Sequence, residues 1–422
     1  MGIIETLIGE VAIPVMTPVR QVFDDSRITD IPAAIRAEFA RMAGAHGLRP
    51  GMSVAVGVGS RGLADLPLIV RATIETIRAE GAEPFIVPAM GSHGGASAEG
   101  QRALLAGLGV TPDSAGCEIR SSMEVNQIGS LPNGLPIYLD RLALQADGIV
   151  VINRVKPHTS FSAEIESGLA KMVTIGLGKQ KGAESCHAMG FGLMGQNVRD
   201  MAALTLGTLP ILFGIASVEN AYDRVCHLEL VPGAQIIARE PGLLQMARAR
   251  MPRILFDPLD VLVVDRMGKE FSGTGMDPNI TGRAGTPYVR TAQTVGKLAV
   301  LDLSTKSGGN ATGIGLADIC TRRLVEKIDY PATYANCITS TVLASARLPV
   351  IMECEKAAVQ VALKTSNAAD PEAPRMVWLT DTLHLETIRI SSALLPEARE
   401  NPAIEILGEA ESPRFDAAGN RA

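Results

Sequence analysis

Short apolar runs alternate with helix-length segments along most of the chain, and no other feature narrows the fold as far. "SVAVGV" (53–58) precedes a helical pattern over 66–80, and "PFIVPAMG" precedes another over 96–108. "GIVVIN" (148–153), "PILFGIA" (210–216) and "VLVVD" (261–265) repeat the theme. Such Val- and Ile-rich runs, bounded by Gly or Pro, read as strands buried on both faces. Their alternation with helices predicts an α/β fold with mainly parallel sheets. A length of 422 residues is enough for two such domains. The boundary is expected in "ARMPRILFDPLD" (249–260), where two prolines precede a fresh strand. The expected organisation is an N-terminal α/β domain over 1–256, a C-terminal α/β domain over 257–395, and a tail over 396–422. The tail is expected to be partly disordered or packed back on the N-terminal domain, and the active site to lie in the cleft between the domains.

Charge and composition remove several function classes. A net charge of −6 and the lack of any Lys/Arg run argue against a nucleic-acid footprint. Aromatic residues make up 4% of the chain, too few for a base-stacking platform. The longest apolar stretch, 204–218, is broken by Pro210 and two glycines and falls short of the roughly 20 residues of a membrane span. Met1-Gly2-x-x-x-Thr6 has the form of a myristoylation signal but has no basic cluster beside it. The start carries Glu5 and Glu10 rather than a basic leader. Six cysteines without C-x-x-C spacing read as reduced thiols, so a cytoplasmic protein is expected.

In parallel sheets, ligands gather beyond the carboxyl ends of the strands. "GSRG", "MGSHGG" and "NRVKPH" occupy that position after three successive strands. The first belongs to Gly57-x-Gly59-x-x-Gly62, the form of a dinucleotide fingerprint. No acidic residue follows at the end of the next strand to hold a ribose, so an NAD(P)-dependent oxidoreductase is the lesser reading. Arg61 is better placed to grip an anionic substrate group, with Ser60 beside it. His93 and His158 could each be an ordinary turn residue or a site residue. Of Cys186 and His187, adjacent in sequence, one at most would ligate a metal. Lys171 could be solvated on a helix near Glu166 and Ser167. "IGLGKQKG" offers the amides of Gly176 and Gly178 with Lys179 and Lys181, a set that suits one phosphate.

Taken together, Ser60-Arg61, Gly91-Ser92-His93, Pro157-His158, Ser167-Gly168-Leu169-Ala170-Lys171 and His187 resemble the pattern of the nickel-dependent lactate racemase family. The sixteen-residue step from Lys171 to His187 resembles that family's spacing. The resemblance spans about Arg61 to Asn279, and it implies a racemase or epimerase of 2-hydroxy acids. It implies a nickel-pincer nucleotide (pyridinium-3-thioamide-5-thiocarboxylic acid mononucleotide) attached to Lys171, with nickel held by His187. It further implies that His93 and His158 are the acid/base pair, in keeping with imidazoles that titrate near 6.5. Arg61 then takes the substrate carboxylate. Cofactor-biosynthesis enzymes would be partners, with no nucleic acid and no membrane involved.

The pattern also departs from the family. The interval from His158 to Lys171 is thirteen residues and contains Glu164 and Glu166, about three more than in lactate racemases. Val58 stands where the family has an acid and Gly62 where it has proline. In the second domain, "GMDPNITGR" resembles the family's substrate-wall segment, with Asn279, Thr281 and Arg283 as expected contacts. Small and cationic groups in place of a bulky Tyr suggest a substrate larger or more polar than lactate, malate-like or an aldonate. A non-catalytic relative that binds nickel or the nucleotide is the remaining alternative.

Overall fold

The computed structural model describes residues 2–9, 11–60 and 62–421. Its strands are β1 (Met16–Gln21), β2 (Ser53–Val58), β3 (Glu83–Pro88), β4 (Val125–Ser130), β5 (Pro136–Asp140), β6 (Gly148–Arg154), β7 (Ile211–Glu219), β8 (Val225–Pro232), β9 (Leu259–Met267), β10 (Val295–Leu303), β11 (Ile319–Thr321), β12 (Val350–Met352), β13 (Met376–Leu379), β14 (Thr387–Ser391) and β15 (Ile404–Ile406). Two compact units form, one of Asp24–Met251 and one joining Met1–Phe23 to Pro252–Ala422.

The first unit holds a five-stranded sheet in the order β3-β2-β6-β7-β8. All pairings are parallel except β7 with β8. The apolar runs form these strands because helices cover both faces of the sheet, so consecutive residues find an apolar environment. β2 is buried from Val54 to Val58. The Leu66–Ala79 helix lays Leu66, Ile69, Val70, Ile74 and Ile77 against the same core, the spacing of one helical face. Proline near its start fits the first turn, where no N–H is needed. The chain thus delivers the segments after β2, β3 and β6 to one edge of the sheet.

The second unit is built on an eight-stranded sheet, β12-β11-β10-β9-β13-β14-β1-β15. The five strands β9–β13 run parallel, and β14, β1 and β15 extend the sheet antiparallel. This corrects the expected domain limits. The break falls between Met251 and Pro252, but residues 1–23 join the second unit rather than the first. The tail joins that unit too: β15 pairs with β1, and Arg421 reaches Asp265 at 2.5 Å. The physical reason is that β1 completes a sheet whose other strands lie hundreds of residues later. Its "TPVRQ" carries Pro18 and Arg20 and shows no apolar run, so local pattern does not reveal it. Gln21, fully buried, seals the join by donating to Leu385 O (2.7 Å) and accepting from the Leu255 N–H (2.7 Å). Among the described residues, no helix is long and apolar enough to cross a membrane.

This arrangement predicts how the chain can be cut. A fragment of residues 24–251 should unfold cooperatively by itself. Residues 252–422 should not, because β14 and β15 lose the strand between them, and fusing residues 1–23 to them should restore a cooperative transition in urea. Cooperative unfolding of 252–422 alone would contradict the assignment.

Candidate functional site

The site grows from the stretch after β6. Asn153 at the end of that strand donates through Nδ2 to Gly168 O (2.9 Å), and so fixes the start of a short helical turn, Leu169–Lys171. Gly168 gives that turn no side-chain cap. Glu240 from the Ile236–Arg250 helix does so instead, accepting the Ala170 N–H on Oε2 at 2.8 Å and the Leu169 N–H as well. Its carboxyl is buried, which pushes its pKa up from 4.5 to about 7 against the pull of the two N–H donors. After Lys171 the backbone widens into a π-helical stretch, Met172–Gly176. Such widened turns occur mostly inside helices at functional sites.

The Lys179–His187 helix then brings His187 within electrostatic reach of Lys171. His187 Nδ1 lies 2.6 Å from Ala183 O. A carbonyl only accepts, so the proton sits on Nδ1 and Nε2 keeps its lone pair. Burial lowers the pKa of this imidazole, the Ala183 carbonyl opposes that, and the charge of Lys171 adds to it. A neutral ring with Nδ1–H fixed by a carbonyl is the form a metal-ligating histidine takes. Cys186 points elsewhere: its Sγ packs 3.3 Å from Met194 Sδ, and burial pushes the thiol up to about 12, with Lys171 partly opposing. Of the adjacent pair, His187 is the one with a ring nitrogen left as a donor, while the Cys186 thiol is buried against Met194. Among the described residues, no three His, Cys, Asp or Glu side chains are grouped to hold a metal ion.

His158 arrives from the loop between β6 and the lysine turn. Its Nδ1 accepts the Ser160 N–H at 3.0 Å, so the ring is neutral and carries its proton on Nε2. The ring lies 4.5 Å from that of Phe161 and 6.2 Å from that of Phe191, while His187 meets Phe191 edge-on at 5.6 Å. Phe191 therefore stands between the two histidines, a residue that nothing in the sequence pattern singled out. The lengthened interval folds around Glu166, which is 1% exposed. Its carboxylate accepts the His158 N–H (2.6 Å) and the Ala163 N–H (2.8 Å) and pairs with Arg248. Burial raises the Glu166 pKa against those three partners. The additional residues thus form a closed loop, not a slack one.

His93 follows β3, with Nδ1 in a short hydrogen bond to Ser60 Oγ. Its loop is fastened to the π-helical stretch by the Gly91 N–H donating to Gly176 O (3.2 Å). Arg61 lies outside the described residues. The glycines beside it pack against protein: a Cβ on Gly57 would stand 3.3–3.4 Å from Ala89, Leu177 and Val151, and one on Gly59 would meet Met172. They let β2 sit close to the π-helical stretch, which accounts for the fingerprint without a pyrophosphate.

The expected phosphate grip requires correction. Lys179 is fully buried, and its Nζ bonds Pro88 O, Gln101 Oε1 (3.1 Å) and Asp140 Oδ2 (3.0 Å). Gln101 in turn donates to Gly91 O (2.9 Å) and His93 O (3.3 Å). Gly176 and Gly178 are buried against the Ala89, Thr174 and Tyr138 carbonyls, which leaves no room for an anion. Lys181 is exposed, its Nζ lying 5.7 Å from the Tyr138 ring centroid. Acceptors, not donors, surround this turn, so it suits a cation and not a phosphate.

The contacts expected from the second unit are likewise spent locally. Thr281 is buried, with Oγ1 3.3 Å from Asp277 O. Arg283 ties Val295 O (3.0 Å), Gly296 O (2.8 Å) and Asp318 (2.9 Å) together. Asn279 donates to Asp277 Oδ1 at 2.9 Å. Thr281 and Arg283 are therefore structural, and a cationic substrate contact at Arg283 is not supported.

Residues 31–198 match the family model described as the lactate racemase N-terminal domain. No curated protein sequence matches the chain. A crystal structure of a Thermotoga maritima protein aligns at 13% identity with a TM-score of 0.51, covering 84% of this chain and 97% of that one. The lactate racemase apoprotein from Thermoanaerobacterium thermosaccharolyticum aligns at 12% identity with a TM-score of 0.51, covering 87% of this chain and 98% of that one. Identities this low speak to the shared fold.

Two predictions follow the buried charges. Lys179→Met strands Asp140 without its cation and should lower the unfolding free energy by about 3–5 kcal/mol. Lys181→Met should change it by less than about 0.5 kcal/mol; equal effects in urea denaturation would contradict the structural role. For Glu240, the native state keeps a proton that the unfolded chain releases between about pH 4.5 and about pH 7. Its contribution to stability therefore falls as pH rises through that window. Glu240→Gln should gain on the wild type by on the order of 3 kcal/mol from the bottom to the top of it. A pH-independent difference between the two proteins would refute this.

Proposed function

We infer from the match of residues 31–198 to the lactate racemase N-terminal domain that the chain is a divergent homologue of that family, and an isomerase that inverts C2 of a 2-hydroxy acid. The observation that carries the reading is the placement of Lys171 beside a half-buried His187 whose Nδ1–H is engaged and whose Nε2 is available to a metal. One imidazole does not hold nickel firmly, so the remaining donors would come from a bound group. The residues present fit a nickel-pincer nucleotide attached through Lys171. When bound, that group supplies a reversible acceptor for the hydride of a C–H bond too weakly acidic to deprotonate.

The chain's own part is proton transfer and orientation. His158, neutral with its proton on Nε2, is set to donate to a substrate oxygen, and the ring is held by Ser160 and Phe161. His93, paired with Ser60, is set to exchange a proton from the other strand exit. One accepts the hydroxyl proton as C2 becomes planar, and the other returns a proton when the opposite configuration forms. Arg61 is the proposed carboxylate contact. Phe161 and Phe191 make the histidine side of the site apolar and exclude water. We assign as substrate a 2-hydroxy acid larger or more polar than lactate. The proposed partners are the enzymes that make and load the nucleotide. A cytoplasmic setting suits the six unpaired cysteines.

The test is mass spectrometry of protein co-expressed with the cofactor-making enzymes. The Lys171 peptide should carry a nickel-dependent adduct that is lost in Lys171→Ala. His93→Asn and His158→Asn should each keep the adduct and lower turnover by about 10²–10⁴-fold. A loaded protein inactive on a panel of 2-hydroxy acids and aldonates would point to binding without catalysis, and repeated absence of the adduct would remove the reading.

A further inference from the structure

The buried carboxyl of Glu240 is costly, and the fold turns two separate sequence choices to accommodate it. Glu240 is 1% exposed, and among the described residues no arginine or lysine pairs with it; its neighbours are the N–H groups of Leu169 and Ala170. One oxygen, Oε1, is buried without a hydrogen-bond partner. The second choice is Gly168. Its backbone is extended (φ −170, ψ −152), a conformation open to any residue. A Cβ there would nevertheless fall 2.3 Å from Glu240 Oε1. A side chain at 168 would thus have to push the Glu240 carboxyl aside, although the backbone itself would accept one.

A turn that needed only a cap could carry Ser, Asp or Asn at position 168 itself, at no cost in buried charge. Instead the cap comes from a helix seventy residues away, and it bears on the three-residue turn that ends in Lys171. The π-helical stretch begins at the next residue, Met172. The direction of the lysine side chain is therefore set between a cap on one side and a widened turn on the other. We propose that Glu240 is a positioning residue for Lys171: its buried carboxyl clamps the Gly168–Lys171 turn and fixes how the lysine amine is presented beside His187. The inference rests on the reading of Lys171 as the attachment lysine. Oε2 accepts the Ala170 N–H, so removing the carboxyl leaves the first N–H groups of the turn uncapped and frees the turn to move. Displacing the carboxyl from within, by a side chain at 168, has the same effect.

The test uses the full chain without cofactor. All lysines are acylated competitively, and the Lys171 rate is read by peptide mass spectrometry relative to exposed Lys181. Amide exchange across residues 165–176 and the thermal midpoint are measured on the same samples. Glu240→Ala should change the Lys171:Lys181 ratio by about tenfold and speed exchange at Leu169 and Ala170 by at least as much. Glu240→Gln keeps an accepting oxygen and should stay within about twofold of the wild type. Gly168→Ala should reproduce Glu240→Ala, and the double variant should add little to either, since the clash disappears with the carboxyl. If Glu240→Ala does not fold, Gly168→Ala decides the matter alone. A Lys171 ratio within twofold of the wild type in Gly168→Ala or Glu240→Ala, with faster amide exchange or a lower midpoint, would reduce Glu240 to a structural cap and overturn the proposal. The attachment reading fails separately, by absence of the adduct on wild-type Lys171. A changed ratio without any adduct keeps the clamp and discards the attachment.

Discussion

The ammonium of Lys179 holds the site's framework together. Buried and fully enclosed, it bonds the end of β3 through Pro88, the start of the Arg141–Leu144 turn through Asp140, and the His93 loop through Gln101. Its own residue opens the helix that carries His187. The backbone there takes φ +54, a left-handed conformation that costs a side-chain-bearing residue about 1–2 kcal/mol. A buried ion pair does not reward such a cost by stability alone. What the pair accomplishes is geometry: the π-helical stretch can end and the histidine helix can begin at one point. Asp140 reinforces this, because its N–H donates to Leu177 O at 2.7 Å while Oδ1 caps Leu142 and Ala143.

Around that cation, the histidines acquire different chemical forms from ordinary backbone groups. His187 gives its Nδ1 proton to a carbonyl of its own helix, and His158 receives an N–H from two residues onward. The first ring is left with a donor nitrogen and the second with a proton to give. Neither state needs a charged partner. Buried carboxyl groups then hold the supporting backbone, Glu166 for the histidine loop and Glu240 for the lysine turn. In the proposed function, acid/base work, metal ligation and support would thus be divided among these groups.

Much of this was legible in the sequence, and the reasons for what was not are specific. The parallel strands announced themselves because burial on both faces demands continuous apolar runs, and His93 and His158 stood out as candidates because they follow strands. "IGLGKQKG" misled, since glycines and lysines look alike whether they cradle an anion or pack against carbonyls. Only the position of Asp140, thirty-nine residues before Lys179, distinguishes the cases. Glu240 and Arg248 carried no signal, being charged residues on a helix that reads as solvent-facing until its partners are placed. β1 and β15 were illegible for a related reason. Their place comes from strands at the far end of the chain, and Gln21 and Pro18 reveal nothing of it locally. Arg283 resembled a substrate contact because its local segment does not show that Asp318 and two β10 carbonyls already occupy it.

The central claim is that His187 offers a bare Nε2 beside Lys171 while His158 carries its proton on Nε2. Nitrogen NMR of protein labelled at histidine, with resonances assigned by single replacement of each ring, measures both at once. At neutral pH the account predicts opposite neutral tautomers, Nδ1–H in His187 and Nε2–H in His158. The same tautomer in both rings, or a protonated His187, would contradict it.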